Sequence, residues 1–457
     1  MQSQAGMGSA EMDAAALDAL WRPFTQHAAR QKPLVIAEGR GCYVYDVDGK
    51  EYLDAMSGLW CVNVGYGQQK LVEAAASQMG RLPYTPLSRP SPVALELAQK
   101  LVSVLPSGLR HVHLLNSGSE AVETALKLAR QWARQAYPGQ NRYKIIARYR
   151  GYHGWTMGAL SATGQTVRTT SFEPLVPGFL HVRPPDTFRL FAGLSPQEAA
   201  RQMAQEIEQT ILFEGPETVA AFIGEPIIGG GGVIVPPDDY WPLVRSLCDK
   251  YGMLLIMDEV ITGFGRTGKM FGCQNWGVVP DIMTMAKGIV SGYVPMAATA
   301  ANDRVFEGFL GEAAENRHFQ QISTFGGHPV SCAVAIANLG LFQELNLVQN
   351  AAAMGERLGN GLRGLQGRHS VVGDVRGKGL IWGLELVQPG TREPLPAPKA
   401  REVVAEAQKR GLVIGASSAT VPRLENVITL APPLVINAEQ VDRILSLLDE
   451  ALRAATA

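Results

Sequence analysis

A chain of 457 residues, 46% of them hydrophobic, is too long for one ordinary domain and can bury a sizeable core, so one large domain with smaller pieces is expected. The 41 basic and 42 acidic residues leave a net charge of −1 with no Lys/Arg cluster, which argues against a nucleic-acid partner. The 5 cysteines are scattered without a CxxC pair, the opening "MQSQAGMGSAEMDAAALDAL" lacks a basic start followed by an apolar run, and no apolar run of about 18 residues occurs. A disulfide framework, a zinc site, a secretory signal and a membrane span are therefore disfavoured, and a soluble cytoplasmic protein is expected.

In chain order, "GCYVYDVDGKEYLDAMSG" (41–58) predicts a hairpin turning at Asp48-Gly49. "HVHLL" (111–115) predicts a strand, and the helical spacing of Ala121, Ala125, Leu128, Ala129 and Trp132 predicts a helix over 119–135. Further strands follow at "YKIIARY" (143–149), "VAAFIGEP" (219–226), "MLLIMDEV" (253–260) and "PMAATAA" (295–301), separated by helical stretches such as 238–252. Strands that are apolar throughout and alternate with helices indicate an α/β fold with a mostly parallel sheet covered on both faces. Beyond residue 330 come a long helical stretch, "GDVRGKGLIWGLELV" (373–387), a helix at 401–410, a loop and a last helix at 439–454. The expected organisation is an N-terminal segment, 1–65, contributing to a small domain, a large ligand-binding domain, 66–329, and a C-terminal small α/β domain, 330–457.

In open α/β sheets ligands lie beyond the carboxyl ends of the strands, and three of those ends carry unusual chemistry. "LLNSGSEAVETALKLA" (114–129) passes from a strand through Ser117-Gly118-Ser119 directly into a helix. Small residues let the backbone approach a ligand, and the N–H groups of a helix start favour an anion such as phosphate; taken alone, Ser117 reads equally as an ordinary N-cap. There is no P-loop lysine and no GxGxxG, so a nucleoside triphosphate or dinucleotide is not favoured. "LLIMDEVITGFGRTG" (254–268) ends an apolar strand at Asp258-Glu259. Buried beneath a ligand, Asp258 needs a cation or a donor, which a protonated pyridine nitrogen supplies. "DIMTMAKGIVSGYVP" (281–295) holds Lys287 inside an almost uncharged run. A lysine in a dry site gives up its proton readily and attacks carbonyls, so an aldehyde bound there forms a Schiff base. A phosphate cradle, an acid for a ring nitrogen and a lysine for an aldehyde, in that order, describe pyridoxal 5′-phosphate (PLP). In "RYRGYHGWTMGALSATG" (148–164), Tyr152 is suited to one face of the pyridine and Val260 to the other, offset stacking adding about 0.5–1.5 kcal/mol beyond area burial.

These stretches, with "GEPIIGGGGVIVPPDDYW" (224–241) and "TFGGHPVSCAVA" (324–335), resemble in order and spacing the class III aminotransferases, PLP enzymes of fold type I. "GLWCVNVGYG" (58–67) is most similar to the ω-amino acid:pyruvate and amine:pyruvate branch, and the resemblance covers nearly the whole chain. It implies that Lys287 forms the Schiff base with PLP, that Asp258 pairs with the pyridine nitrogen, and that Ser117, Gly118 and Ser119 hold the phosphate together with Thr324 from a second subunit. Tyr152 and Val260 would sandwich the ring, and Glu225 falls among the cofactor-binding positions. Trp60, Leu87 and Tyr152 would line the substrate pocket of a homodimer or homotetramer with sites at the subunit interface. The implied reaction moves an amino group from an ω-amino acid or primary amine to a 2-oxo acid.

Two departures from the family pattern stand out. Relatives acting on ornithine or γ-aminobutyrate carry a polar residue in an "EPIQGxxG" segment, which here reads Glu225-Pro226-Ile227-Ile228-Gly229-Gly230, and this speaks against ornithine or glutamate as substrates. The ω-aminotransferases place a carboxylate-binding arginine after a "GLIxR"-like strand, where "GLVIGASSATVPRLENVITLAPPL" (411–434) has Gly415 and Ala416. Arg423, the one arginine of that stretch, is the expected substitute on a mobile loop, with Arg89 as the competing anchor. A PLP-dependent decarboxylase or racemase stays open, because Lys287 and Asp258 would look alike in each. A non-catalytic PLP-binding regulator is disfavoured by the absence of a basic helix-turn-helix pattern. The amine donor is equally open among β-alanine, taurine, a polyamine and an amino polyol.

Overall fold

The computed structural model describes residues 19–29, 32–417 and 420–456. The N-terminal part opens with β1 (Ile36–Arg40), β2 (Tyr43–Asp46) and β3 (Glu51–Asp54), an antiparallel meander. The turn between β2 and β3 falls at Asp48-Gly49, with Gly49 at φ 80°, a left-handed conformation that glycine adopts without a Cβ penalty.

Seven strands build the large sheet: β4 (Leu109–Leu115), β5 (Lys144–Arg148), β6 (Phe179–Val182), β7 (Val219–Gly224), β8 (Leu254–Asp258), β9 (Ile282–Met285) and β10 (Ala297–Asn302). Their spatial order is β4-β10-β9-β8-β7-β5-β6. The pairs from β6 through β9 are parallel, while β10 runs antiparallel to both β9 and β4. A parallel neighbour needs a crossover of roughly a dozen residues or more, usually a helix. The connection 286–296 holds only a short turn at Lys287–Ile289 and a second turn at Ser291-Gly292, so β10 returns antiparallel. Every residue of β7 and β8 is buried, as strands covered on both faces require. The helix Gly118–Ala136 covers one face through Ala121, Ala125, Ala129 and Trp132, residues that recur at helical spacing and are all buried.

The C-terminal part follows two helices, Pro329–Glu344 and Leu347–Arg368, which are separated at Asn346 by a left-handed residue, φ 49°. The expected long helical stretch is thus broken. Then come β11 (Val372–Lys378) and β12 (Ile381–Leu386), the helix Ala397–Lys409, β13 (Leu412–Val413), β14 (Gly415–Ala416), β15 (Val427–Leu430) and the closing helix Ala438–Thr456. β11, β12, β15 and β14 form one sheet in that order, whereas β13 leaves it to pair in parallel with β3, at Leu53 and Asp54. The N-terminal meander therefore shares a sheet with the C-terminal part.

Arg266 fixes the junction. Fully buried, it donates from Nη2 to Asn63 Oδ1 (2.6 Å) and Ser57 Oγ (3.1 Å), and from Nη1 to the carbonyls of Pro432 (2.5 Å) and Leu380 (3.1 Å). Four acceptors offset the desolvation of the guanidinium, yet burial still lowers its pKa to about 9. Among the described residues no single helix is long and apolar enough to cross a membrane.

Candidate active site

The parallel strands end at one cleft. β8 delivers Asp258, whose carboxylate is 3% exposed and fully furnished with donors. Oδ2 lies 2.8 Å from His153 Nδ1, while Oδ1 accepts from the Val260 N–H (3.1 Å) and the Thr284 hydroxyl (3.2 Å). Such bonds are what a buried charge requires. His153 comes from the loop after β5, with its N–H on Thr163 Oγ1 (2.9 Å), and its Nε2 is buried without a protein partner.

One strand over, β9 delivers Lys287 at the start of a single turn. Its φ of 46° lies in the left-handed region, a conformation costing a non-glycine residue on the order of 1 kcal/mol and retained where the surroundings over-determine it. Burial pushes the Lys287 amine below the ordinary lysine range; the negative potentials of Cys61, Asp258 and Glu225 pull the other way, and Arg266 adds to the fall. Nζ stands 5.5 Å from the centroid of the Trp60 ring. The cation–π contact and the nearby carboxylates hold what charge the amine carries.

The third strand end, β4, passes into the helix Gly118–Ala136. Ser117 is its N-cap, with Oγ accepting from the Glu120 N–H (3.2 Å), and Ser119 Oγ accepts from the Trp155 N–H (2.9 Å). Both readings of Ser117 hold together: it caps the helix, and it stands at the helix's positive end facing the cleft. A Cβ on Gly118 would lie 3.1 Å from Val260 Cγ1, so glycine lets Val260 close against the helix start.

Glu225 completes the floor. Oε1 accepts from the Tyr152 N–H (3.0 Å) and Oε2 from the Gly229 N–H (2.8 Å), and burial pushes its carboxyl group up. The resulting cavity, about 310 Å³, is lined by Ser117, Gly118, Ser119, Tyr152, Glu225, Asp258, Val260 and Lys287, with Leu59 and Cys61 at its edge. Trp60 joins it through its contact with Lys287.

Thr324, expected from a second subunit, and Leu87 and Arg423 lie outside the lining of this chain's own cavity. Thr324 is exposed, its carbonyl accepting from Tyr84 Oη (2.9 Å), and Leu87 packs on Gly327, where a Cβ would come within 2.4 Å of Leu87 Cδ2. The two share one surface formed by residues 84–87 and 324–327. Arg423 is exposed on the loop between β14 and β15, at φ 72°. The missing family arginine has a steric reason: a Cβ at Gly415 would sit 2.4 Å from Thr429 Oγ1 and 2.8 Å from Met56 Cε. One residue of the site and one neighbour of Tyr152 escaped the sequence reading. His153 stands next to Tyr152 in the quoted "YHG" and is signalled only by that position. Arg168, from the short helix Thr166–Thr169, lays its guanidinium 5.0 Å from the Tyr152 ring centroid.

A reactive lysine, a buried acid one strand away and a helix start for a dianion fit PLP, and Tyr152 and Val260 line the same cavity, as a flat ring held between them requires. The class III aminotransferase family model matches residues 24–452. The aminotransferase YhxA of Bacillus subtilis (strain 168) is 47% identical over 94% of this chain and 95% of its own. The taurine–pyruvate aminotransferase of Bilophila wadsworthia is 41% identical, covering 94% of each. Among solved structures, the thermostable (S)-enantioselective ω-transaminase from Thermomicrobium roseum superimposes with a TM-score of 0.93 at 41% identity, over 99% of this chain and 100% of that one. The chain belongs to the class III aminotransferases. It is a PLP-dependent transaminase of fold type I.

Proposed function

We propose that this enzyme moves an amino group from an ω-amino acid or primary amine to pyruvate, giving alanine. The observation that carries the reading is Lys287 with its lowered pKa in one cleft with Asp258 and the Ser117–Ser119 helix start. The taurine–pyruvate relative supports pyruvate as acceptor.

When bound, PLP supplies an aldehyde for the amine and an electron sink for the charge left at the amine-bearing carbon. Lys287 is the covalent anchor for that aldehyde and, when its Nζ is free and neutral, the base that takes the proton from the donor's carbon and returns it nearby. Asp258, itself held by His153 and Thr284, would pair with the ring nitrogen and favour its protonated form. Ser117, Gly118 and Ser119 would hold the phosphate, with Thr324 of a second copy. Tyr152 and Val260 would clasp the ring, Glu225 fixes the Tyr152 backbone, and Trp60 would wall the substrate space with Leu87 of the second copy. The placement of Leu87 and Thr324 on one surface outside their own cleft supports a homodimer or homotetramer; sedimentation should give at least twice the chain mass, and an active monomer would overturn this part. A cytoplasmic location is consistent with five free cysteines.

Amine added alone to the holoenzyme should convert the coenzyme absorption once and stop, and pyruvate should restore it with alanine formed. Carbon dioxide released in continuous turnover without an acceptor would overturn the reading in favour of a decarboxylase.

Arg423 is the carboxylate anchor for pyruvate in this reading. Its loop follows Gly415, where the usual arginine has no room, and its exposed position suits a side chain that enters for a keto acid and leaves for an uncharged donor. A charge-assisted contact is worth about 1.5–3 kcal/mol, so Arg423→Ala should raise the KM for pyruvate roughly tenfold to a hundredfold. Unchanged pyruvate kinetics in Arg423→Ala, with a collapse in Arg89→Ala, would transfer the role to Arg89.

A further inference from the structure

Among the described residues, Arg168 is a cation without a counter-ion. Its guanidinium lies between two rings, 4.6 Å from the centroid of Phe24 and 5.0 Å from that of Tyr152. Nε donates to Gln165 Oε1 (2.7 Å), and Gln165 is itself fully buried and tied through Nε2 to the Arg150 carbonyl (2.9 Å). The plane of the guanidinium is thereby set. Among the described residues no carboxylate forms an ion pair with it, no acceptor bonds Nη1 or Nη2, and neither of these atoms is a buried orphan. Neither terminal nitrogen is therefore sealed from solvent, and the guanidinium lies over the ring of Tyr152, which lines the cleft. Burial lowers the Arg168 pKa and the Tyr152 phenol is the one group whose potential opposes this.

Position adds a second argument. Tyr152 lines the cleft that holds Lys287, and the Val167 N–H donates to the Thr420 carbonyl (3.3 Å), so the turn bearing Arg168 is docked against the loop bearing Arg423. A guanidinium fixed in orientation, stacked on aromatic faces and lacking an acid offers two parallel N–H donors for a compact anion. A purely structural arginine in such surroundings would be expected to have found a carboxylate or a set of carbonyls, as Arg266 has.

We propose that Arg168 is the specificity-determining residue for the amine donor, binding the distal acid group, carboxylate or sulfonate, of a short ω-amino acid. This rests on the transaminase reading and divides the labour between two arginines. The fixed Arg168 takes the acid of the donor, and the loop-borne Arg423 takes the carboxylate of the acceptor.

The test compares donors within the holoenzyme. First half-reactions with β-alanine, taurine and the uncharged benzylamine are followed without pyruvate in the wild type, in Arg168→Met, which keeps an apolar stem between the rings, and in Arg168→Lys, which keeps the charge. The ratio of kcat/KM for each acid donor to that for benzylamine should fall about tenfold to a hundredfold in Arg168→Met and recover in part in Arg168→Lys. The β-alanine and taurine arms tell whether carboxylate or sulfonate is preferred. Binding of ethanesulfonate or propionate, which carry the acid without the amine, should weaken by at least about tenfold in Arg168→Met by calorimetry. A ratio and an affinity that both stay within about threefold of wild type overturn the role of Arg168 and leave the transaminase reading standing. Wild-type enzyme that reacts with benzylamine but with neither acid donor also overturns it, whereas wild-type enzyme inert toward all three donors counts against the transaminase reading itself.

Discussion

Lys287→Ala should turn over an amine and pyruvate about 10⁴-fold more slowly than the wild type, or worse, while the chain folds and still takes up PLP. Two contributions are lost together. One is the amine that anchors the coenzyme; the other is the base that moves the proton, alone worth about 10²–10⁴-fold. Folding survives because among the described residues the side chain forms no hydrogen bond or ion pair; it meets the Trp60 ring, 5.5 Å from Nζ. The left-handed backbone at this position remains in the variant and is a strain the wild type already carries. Coenzyme should be held by the Ser117–Ser119 helix start and Asp258 and released by denaturation as free aldehyde. Steady-state alanine formation and the visible absorption of the bound coenzyme are the measurements. A variant retaining more than about one per cent of wild-type turnover would show that another group is the base.

The second large effect is expected from Asp258→Asn, which keeps the size of the side chain and removes its charge. The carboxylate is buried at the end of β8 and bonded to His153, Thr284 and the Val260 N–H. An amide can retain most of these bonds, since His153 can present Nδ1 as donor or acceptor by changing tautomer. Coenzyme should therefore still bind. Without a negative charge facing it, the pyridine nitrogen loses the interaction that favours its protonated form, and the half-reaction with amine should slow by about a hundredfold or more. Rapid-mixing absorbance of the holoenzyme with excess amine reads this directly, and an unchanged rate constant would place Asp258 away from the ring.

The parts of the site legible in the sequence are those where chemistry interrupts a strong local pattern. Asp258 ends an apolar strand, Lys287 breaks an uncharged run, and Ser117-Gly118-Ser119 joins a strand to a helix, so each stands out against its neighbours. His153 does not, because a histidine beside a tyrosine carries no pattern of its own and acquires meaning only from Asp258, brought 2.8 Å away by the sheet. Arg168 is harder still. In "QTVRTT" it reads as a solvated turn residue, and the ring that its guanidinium meets at 4.6 Å is Phe24, from a segment no local rule connects to it. The sheet was readable where strands are long and fully buried. β6 and β9 are four residues each, β6 is an edge strand with one buried residue, and β9 is hidden in the run that displays Lys287. The break at Asn346 was missed because the apolar spacing resumes on its far side.

The pairing of β3 with β13 bears on the order of assembly during synthesis. Asp54 and Ser57, which lead into the Trp60 turn, reach their final partners only at Val413 and at the Ala431 carbonyl, which Ser57 Oγ meets at 2.6 Å. A growing chain displays Lys287, Asp258 and the helix start at Ser117 well before those partners leave the ribosome. The local bonds of that turn, from the Met56 and Gly58 N–H groups to the Asp54 carboxylate, form within the first-made part, whereas its tie to the C-terminal part must wait. The wall of the site that carries Trp60 is thus completed only when the last-made strands arrive.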